Sequence, residues 1–103
     1  MNTLAPPGAD TWFLSLYVAG QSPRSLRAVA NLQKICTDQL EGRYQLDVID
    51  LYQQPHLAQG EQIVALPALI KRRPQPTRVL IGDMSDTARV LRELDLPTPA
   101  VVL

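Results

Sequence analysis

The chain has one cysteine, one histidine and no net charge, and each scarcity closes off a class of function. A lone Cys36 cannot build a disulfide framework and fits a reducing compartment. With a single imidazole beside it, a metal centre of thiolate and histidine ligands is not expected. Ten basic and ten acidic residues cancel, so bulk electrostatics draws the chain neither to nucleic acid nor to an anionic membrane. Three Tyr, one Trp and one Phe are too few for a base-stacking platform. No apolar run approaches the roughly 20 residues that span a bilayer. Met1–Asp10 lacks the basic and apolar regions of a secretion signal, so a cytoplasmic protein is expected.

What is present is an ordinary globular composition, 46% apolar and 19% charged over 103 residues, enough for one domain with a modest core. Residues 1–10 read as a loose lead-in, 11–96 as the domain, and 97–103 as a short apolar tail behind Pro97 and Pro99. Trp12–Ala19 is β-forming and nearly continuous in apolar character, the pattern of a strand covered on both faces. Gly20-Gln21-Ser22-Pro23 stops it. Ser22 is a helix cap and Pro23 suits the first helical position, where its missing N–H costs no hydrogen bond. The spacing predicts a helix to about Leu40 with Leu26, Val29, Leu32, Ile35, Cys36 and Leu40 facing inward, stopped by Gly42. Tyr44–Leu51 is the next strand, and strand, helix and strand make a right-handed unit with parallel strands.

Pro55–Val64 carries a weak signal for a short helix around Leu57–Ile63, opposed by Gly60. Ala65–Ile70 reads as a strand entered through Pro67. Lys71–Pro76 reads as a turn, with Lys71-Arg72-Arg73 as its solvated tip, and Thr77–Ile81 as an antiparallel return strand. Val79–Leu96 ends in a segment with two readings. As a helix, Asp86–Leu94 has a cap in Ser85 or Asp86 and a stripe at Ala88, Leu91 and Leu94. As a strand, Leu94 and Leu96 alternate about Asp95 with Val90 in phase, although Arg92 breaks the run. The order β-α-β-(α)-β-β-α predicts an α/β, thioredoxin-like fold, βαβαββα, with a mixed sheet and helices on both faces.

No catalytic residue stands out. Thioredoxin chemistry needs Cys-X-X-Cys at the turn after the first strand, where a helix N-terminus activates a thiolate. That turn is Gly20–Pro23 here, and Cys36 lies on the inner helix stripe as core packing. Asp83 and Asp86 read as turn and capping residues, and His56 as surface. No cofactor is expected.

Between Phe13 and Leu96 the blocks Leu16–Gly20, Ser25–Ala28, Val48–Asp50, Pro55 with Leu57-Ala58, Leu66–Leu69, and Ile81–Asp86 stand in order. By these blocks the chain resembles the KaiB family of circadian clock proteins. The resemblance implies a binding protein, not an enzyme, whose partner is the ATPase ring of a KaiC-like, RecA-family protein. It also implies two folds: a self-associated βαββααβ state, dimeric or tetrameric, and a binding-competent thioredoxin-like monomer. Arg27, Asp47, Gln62 and Arg78 fall at partner-binding positions, and Pro67, Glu93 and Asp95 in the fold switch. Pro67 stands where thioredoxin-like folds place a cis-proline before a strand.

The departures carry information. Glu93 replaces a common family glycine, which favours helix there by roughly 0.5–1 kcal/mol and is expected to shift the population several-fold toward the thioredoxin-like state. Arg89, four residues earlier, is an opposite-charge neighbour, while Asp95 opposes the helix dipole. Asp47 and Gln62 replace lysines, and Val79 replaces an arginine. The Asp47 reversal, on the edge strand that docks KaiA in relatives, works against KaiA as a partner.

Overall fold

The computed structural model describes residues 11–61 and 63–96. The lead-in, Gln62 and the tail lie outside them, so the expectations placed on those residues lie outside the described structure as well.

Trp12–Val18 forms β1, Pro23–Leu40 α1, Tyr44–Asp50 β2, Ala68–Arg73 β3, Arg78–Ile81 β4 and Thr87–Glu93 α2. One sheet runs β2-β1-β3-β4, with β1 and β2 parallel and the β1–β3 and β3–β4 pairs antiparallel. The predicted parallel unit and antiparallel hairpin are both present.

Local chemistry explains the boundaries. The Ser22 side chain accepts the Ser25 amide and Pro23 opens α1. Glu41 in a left-handed conformation closes the helix, and Gly42 at φ 85 continues the turn. At the β1–α1 turn, Gly20 has φ +59, and a Cβ there would meet the Tyr52 ring at 2.8 Å. Only glycine meets both demands. The Asp86 side chain accepts the Arg89 amide and caps α2, so of the two candidates Asp86 is the cap and the segment is helical.

Side chains alternate across a strand, and β1 divides the molecule. Leu14, Leu16 and Val18 join Leu69 and Leu80 beneath α1 and α2 in the main core. Tyr17, with Ala68 and Ile70, faces the other way into a small second cluster. Both α-helices therefore lie on one face, a difference from the expectation of helices on both. The second face is covered by the β2–β3 connection, whose regular structure is one 3-10 turn, Pro55–Ala58, in place of the expected helix around Leu57–Ile63. Gly60 at φ +80 stops any continuation.

Three further expectations change. In α1 the inward face carries Ser25 and Ala28 instead of Leu26, which is 55% exposed, because the inner stripe begins one residue earlier. In α2 it is Val90 and Leu91 that are buried, while Ala88 is exposed. Finally, the expected turn at Lys71–Arg73 is strand: β3 continues to Arg73, and Lys71 is 1% exposed. Pro74 and Pro76, with no N–H to donate, set the end of pairing.

Candidate functional site

The singled-out residues gather at the two ends of the helix-covered face and on one sheet edge. At the end where β1 runs into α1, the Arg27 Nε donates to Asp83 Oδ2 at 3.3 Å, and Asn31 Nδ2 donates to the Asp83 carbonyl at 2.9 Å. The loop from β4 to α2 is thus pinned against α1. The Asp83 carboxyl is held below its ordinary value, first by the Ser85 side chain and amide and then by Arg27. Arg27 remains mostly exposed. Pro67 is buried, its peptide bond with Leu66 is cis, and its carbonyl accepts the Gly82 amide at 3.0 Å. A polar cleft of about 230 Å³ opens beside this loop, lined by Arg24, Asp83, Asp86 and Arg89 among others.

At the opposite end of β4 the structure brings Arg78 and Asp95 together. Arg78 reaches both Asp95 carboxylate oxygens, at 3.2 and 3.3 Å, and the buried Lys71 ammonium pairs with the same carboxylate. Lys71 extends from β3 on the helix side, where its register partner Leu14 also points. Asp95 follows α2 at φ 59, and its carboxyl is held below the ordinary range, first by Lys71 and next by Arg78. Trp12 Nε1 donates to the Leu94 carbonyl at 2.9 Å, satisfying an end group of α2. Three strands therefore hold the last turn of one short helix. The Asp95 charge that should oppose the helix dipole is countered by two cations. Glu93 lies in the last turn of α2 and is half-buried. Among the described residues it makes no ion pair with Arg89.

Asp47 is exposed on β2, an edge strand, and meets neither cluster. Sequence reasoning does not single out Lys71 or Trp12 for this region. The available signal for Lys71 is its place two residues after Leu69 in an uninterrupted strand pattern. Arg72, expected at a solvated turn tip, instead lies in β3 on the other face: it donates to Ser15 Oγ at 2.9 Å and Tyr17 Oη at 2.8 Å and pairs with Glu61 at 2.5 Å. Burial raises the Tyr17 phenol above its ordinary value.

The chemistry of these groups is that of surfaces and ties. Cys36 is buried, and burial pushes its thiol up to about 12, so it stays protonated and inert. His56 is exposed in the 3-10 turn. Among the described residues no cluster of His, Cys, Asp or Glu could hold a metal ion, and no helix is long and apolar enough to cross a membrane.

The family model described as KaiB domain matches residues 15–96. The chain belongs to the KaiB family. It is 48% identical over 86 residues to the circadian clock oscillator protein KaiB of Prochlorococcus marinus (strain MIT 9312), covering 84% of this chain and 82% of that one. The solution structure of the N-terminal domain of Synechococcus elongatus SasA is similar at a TM-score of 0.70 and 25% identity, covering 99% of this chain and 100% of that one. Chloroplastic thioredoxin z is similar at a TM-score of 0.65 and 17% identity, covering 84% of this chain and 80% of that one, a likeness of fold. This KaiB-family chain therefore has the thioredoxin-like architecture, with the residues matched by the family running from mid-β1 to just past α2.

Proposed function

We propose that this chain is a non-enzymatic clock or timing regulator that docks, through residues 11–96, on the ATPase ring of a KaiC-like protein. The observation that carries the reading is family membership over residues 15–96 in a chain whose Thr87–Glu93 segment is helical, the arrangement associated with ring binding. Exposed Arg27 on α1 and Arg78 beside Asp95 are the partner-facing residues on this reading, joined by Gln62. A cytoplasmic location goes with it. Asp47 on the free edge works against KaiA as a further partner, because it sets a negative charge where relatives offer a positive one.

The same reading includes exchange with a self-associated dimer or tetramer of βαββααβ order, governed by Pro67, Glu93 and Asp95. Glu93 supports a bias toward the thioredoxin-like state, since glutamate is a better helix former than glycine by roughly 0.5–1 kcal/mol. A second reading, an interaction module for a different partner such as a sensor kinase, is supported by the likeness to the SasA domain.

The test mixes the purified chain with a KaiC-like hexamer, with and without ATP, and follows co-elution on size exclusion. A complex in either nucleotide condition is expected; two separate peaks in both would turn the case toward the second reading. Backbone chemical shifts of the free chain should report helix across Asp86–Leu94. A strand at residues 90–95 paired between subunits would overturn the Glu93 bias while leaving ring binding to its own test.

A further inference from the structure

The connection from β2 to β3 crosses the second face of the sheet with little to hold it there. Its Pro55–Ala58 turn buries no residue, and no side chain from Pro55 to Glu61 belongs to either apolar cluster. The backbone bonds of this stretch are local: Leu57 N to Gln54 O, Gln59 N to His56 O and Glu61 N to Ala58 O. Among the described residues, one side chain alone ties Pro55–Glu61 to the sheet by polar contact. Glu61 Oε1 accepts from Arg72 at 2.5 Å and from the Tyr17 hydroxyl at 3.3 Å.

The receiving group is held in place independently. Arg72 Nε donates to Ser15 Oγ, and its Nη2 donates to Tyr17 Oη. Because β1 and β3 are paired neighbours, the guanidinium is fixed by the sheet whether or not Glu61 is present. Gly60, at φ +80 with nothing within 4 Å of a hypothetical Cβ, supplies a pivot next to Glu61. Beneath it lies a cleft of about 350 Å³ lined by Gly60, Glu61, Ile70, Arg72, Thr77 and Val79.

We propose that Glu61 and Arg72 form a latch, and that Pro55–Glu61 is a strap which swings off the second face when the latch opens. The strap opens as a local unit while the helix-side core stays intact, since that core contains none of its residues. Opening enlarges the cleft and bares Ile70 and Val79 beside a guanidinium already positioned for a carboxylate. Screening by salt weakens a partly exposed pair, so ionic strength sets how often the strap is open.

Hydrogen exchange on the full chain tests this, comparing wild type, Glu61→Gln, Arg72→Met and the double variant. The backbone amides of Leu57, Gln59 and position 61 should exchange about fivefold faster in each single variant. The double variant should be no faster than either single, because the two residues act as one unit. Leu16 and Leu32 amides should keep their rates. In wild type, about 1 M salt should accelerate the strap amides, and the same salt should have no such effect on Glu61→Gln. Unchanged strap exchange, equal acceleration in the core, additive effects, or a salt response that survives in Glu61→Gln would each overturn the latch. Should a variant fold poorly, the wild-type chain still decides: strap amides indifferent to salt would overturn the latch by themselves.

Discussion

The two faces of the sheet are built on different physics. Among the described residues, the helix side buries fifteen apolar residues, from α1, α2, three strands and the loops flanking α2, in one continuous cluster. The other side's apolar cluster has three buried residues, Tyr17, Ala68 and Ile70, with partly covered Ile49, Leu51, Ile63, Leu66, Val79 and Ile81 around them. On the connection that covers it, Tyr52 and Val64 are 75% and 88% exposed. Close packing removes most alternatives on the first face. On the second, a few ion-supported hydrogen bonds replace volume filling, so that face yields more easily to salt or a partner.

Substitutions should break this contrast in order of size. Leu32 is fully buried on the helix side, and Leu32→Ala should lower stability by about 3–5 kcal/mol, read as a urea-midpoint shift. Second comes the tie at the end of α2. Asp95→Asn strands the buried Lys71 ammonium and should cost about 2–3 kcal/mol, less than a fully buried pair because Asp95 is 36% exposed. Lys71→Met, by contrast, should be close to neutral.

The pH dependence has a definite sign. Asp95 is held below its ordinary 3.8 in the folded chain, so its contribution is complete above that value and fades as pH falls through the depressed folded value. Stability of wild type against pH between about 2 and 6 should therefore slope more steeply than that of Asp95→Asn. Equal slopes would remove the pair from the account. The smaller packing loss belongs to the second face: Ile63→Ala, at a half-buried position, should cost about 1 kcal/mol. A loss matching that of Leu32→Ala would erase the distinction between the faces.

Much of this architecture is legible from residue order. Ser22-Pro23 and Gly42 mark α1 because capping and left-handed turns depend on one or two residues. Cys36 is readable as core from helical spacing alone. The side of the sheet that a helix covers is not readable, because a weak segment such as Pro55–Val64 names no face. Leu26 misleads for a related reason: hydrophobicity does not decide which of two adjacent stripes turns inward, and it is Ser25 and Ala28 that do so. Here the Ser25 hydroxyl accepts the Ala19 amide, so a small polar residue is the better fit under a crowded turn. Lys71 escapes notice for the opposite reason. A lysine is rarely buried, and only the fold reveals the distant Asp95 that makes its burial tolerable. Arg78 and Asp95, seventeen positions apart, can be suspected separately but not joined without the sheet register.

The Trp12 contact has a practical consequence. The chain has a single tryptophan, and its indole N–H is committed to the carbonyl of Leu94 while Arg43 lies 5.8 Å over the ring. Indole emission and its amide-region resonance therefore come from one position, seated where α2 meets β1. Any rearrangement that lifts that helix changes the signal directly. The protein carries an unlabelled optical gauge of how α2 is docked, readable in stopped flow while a partner is mixed in.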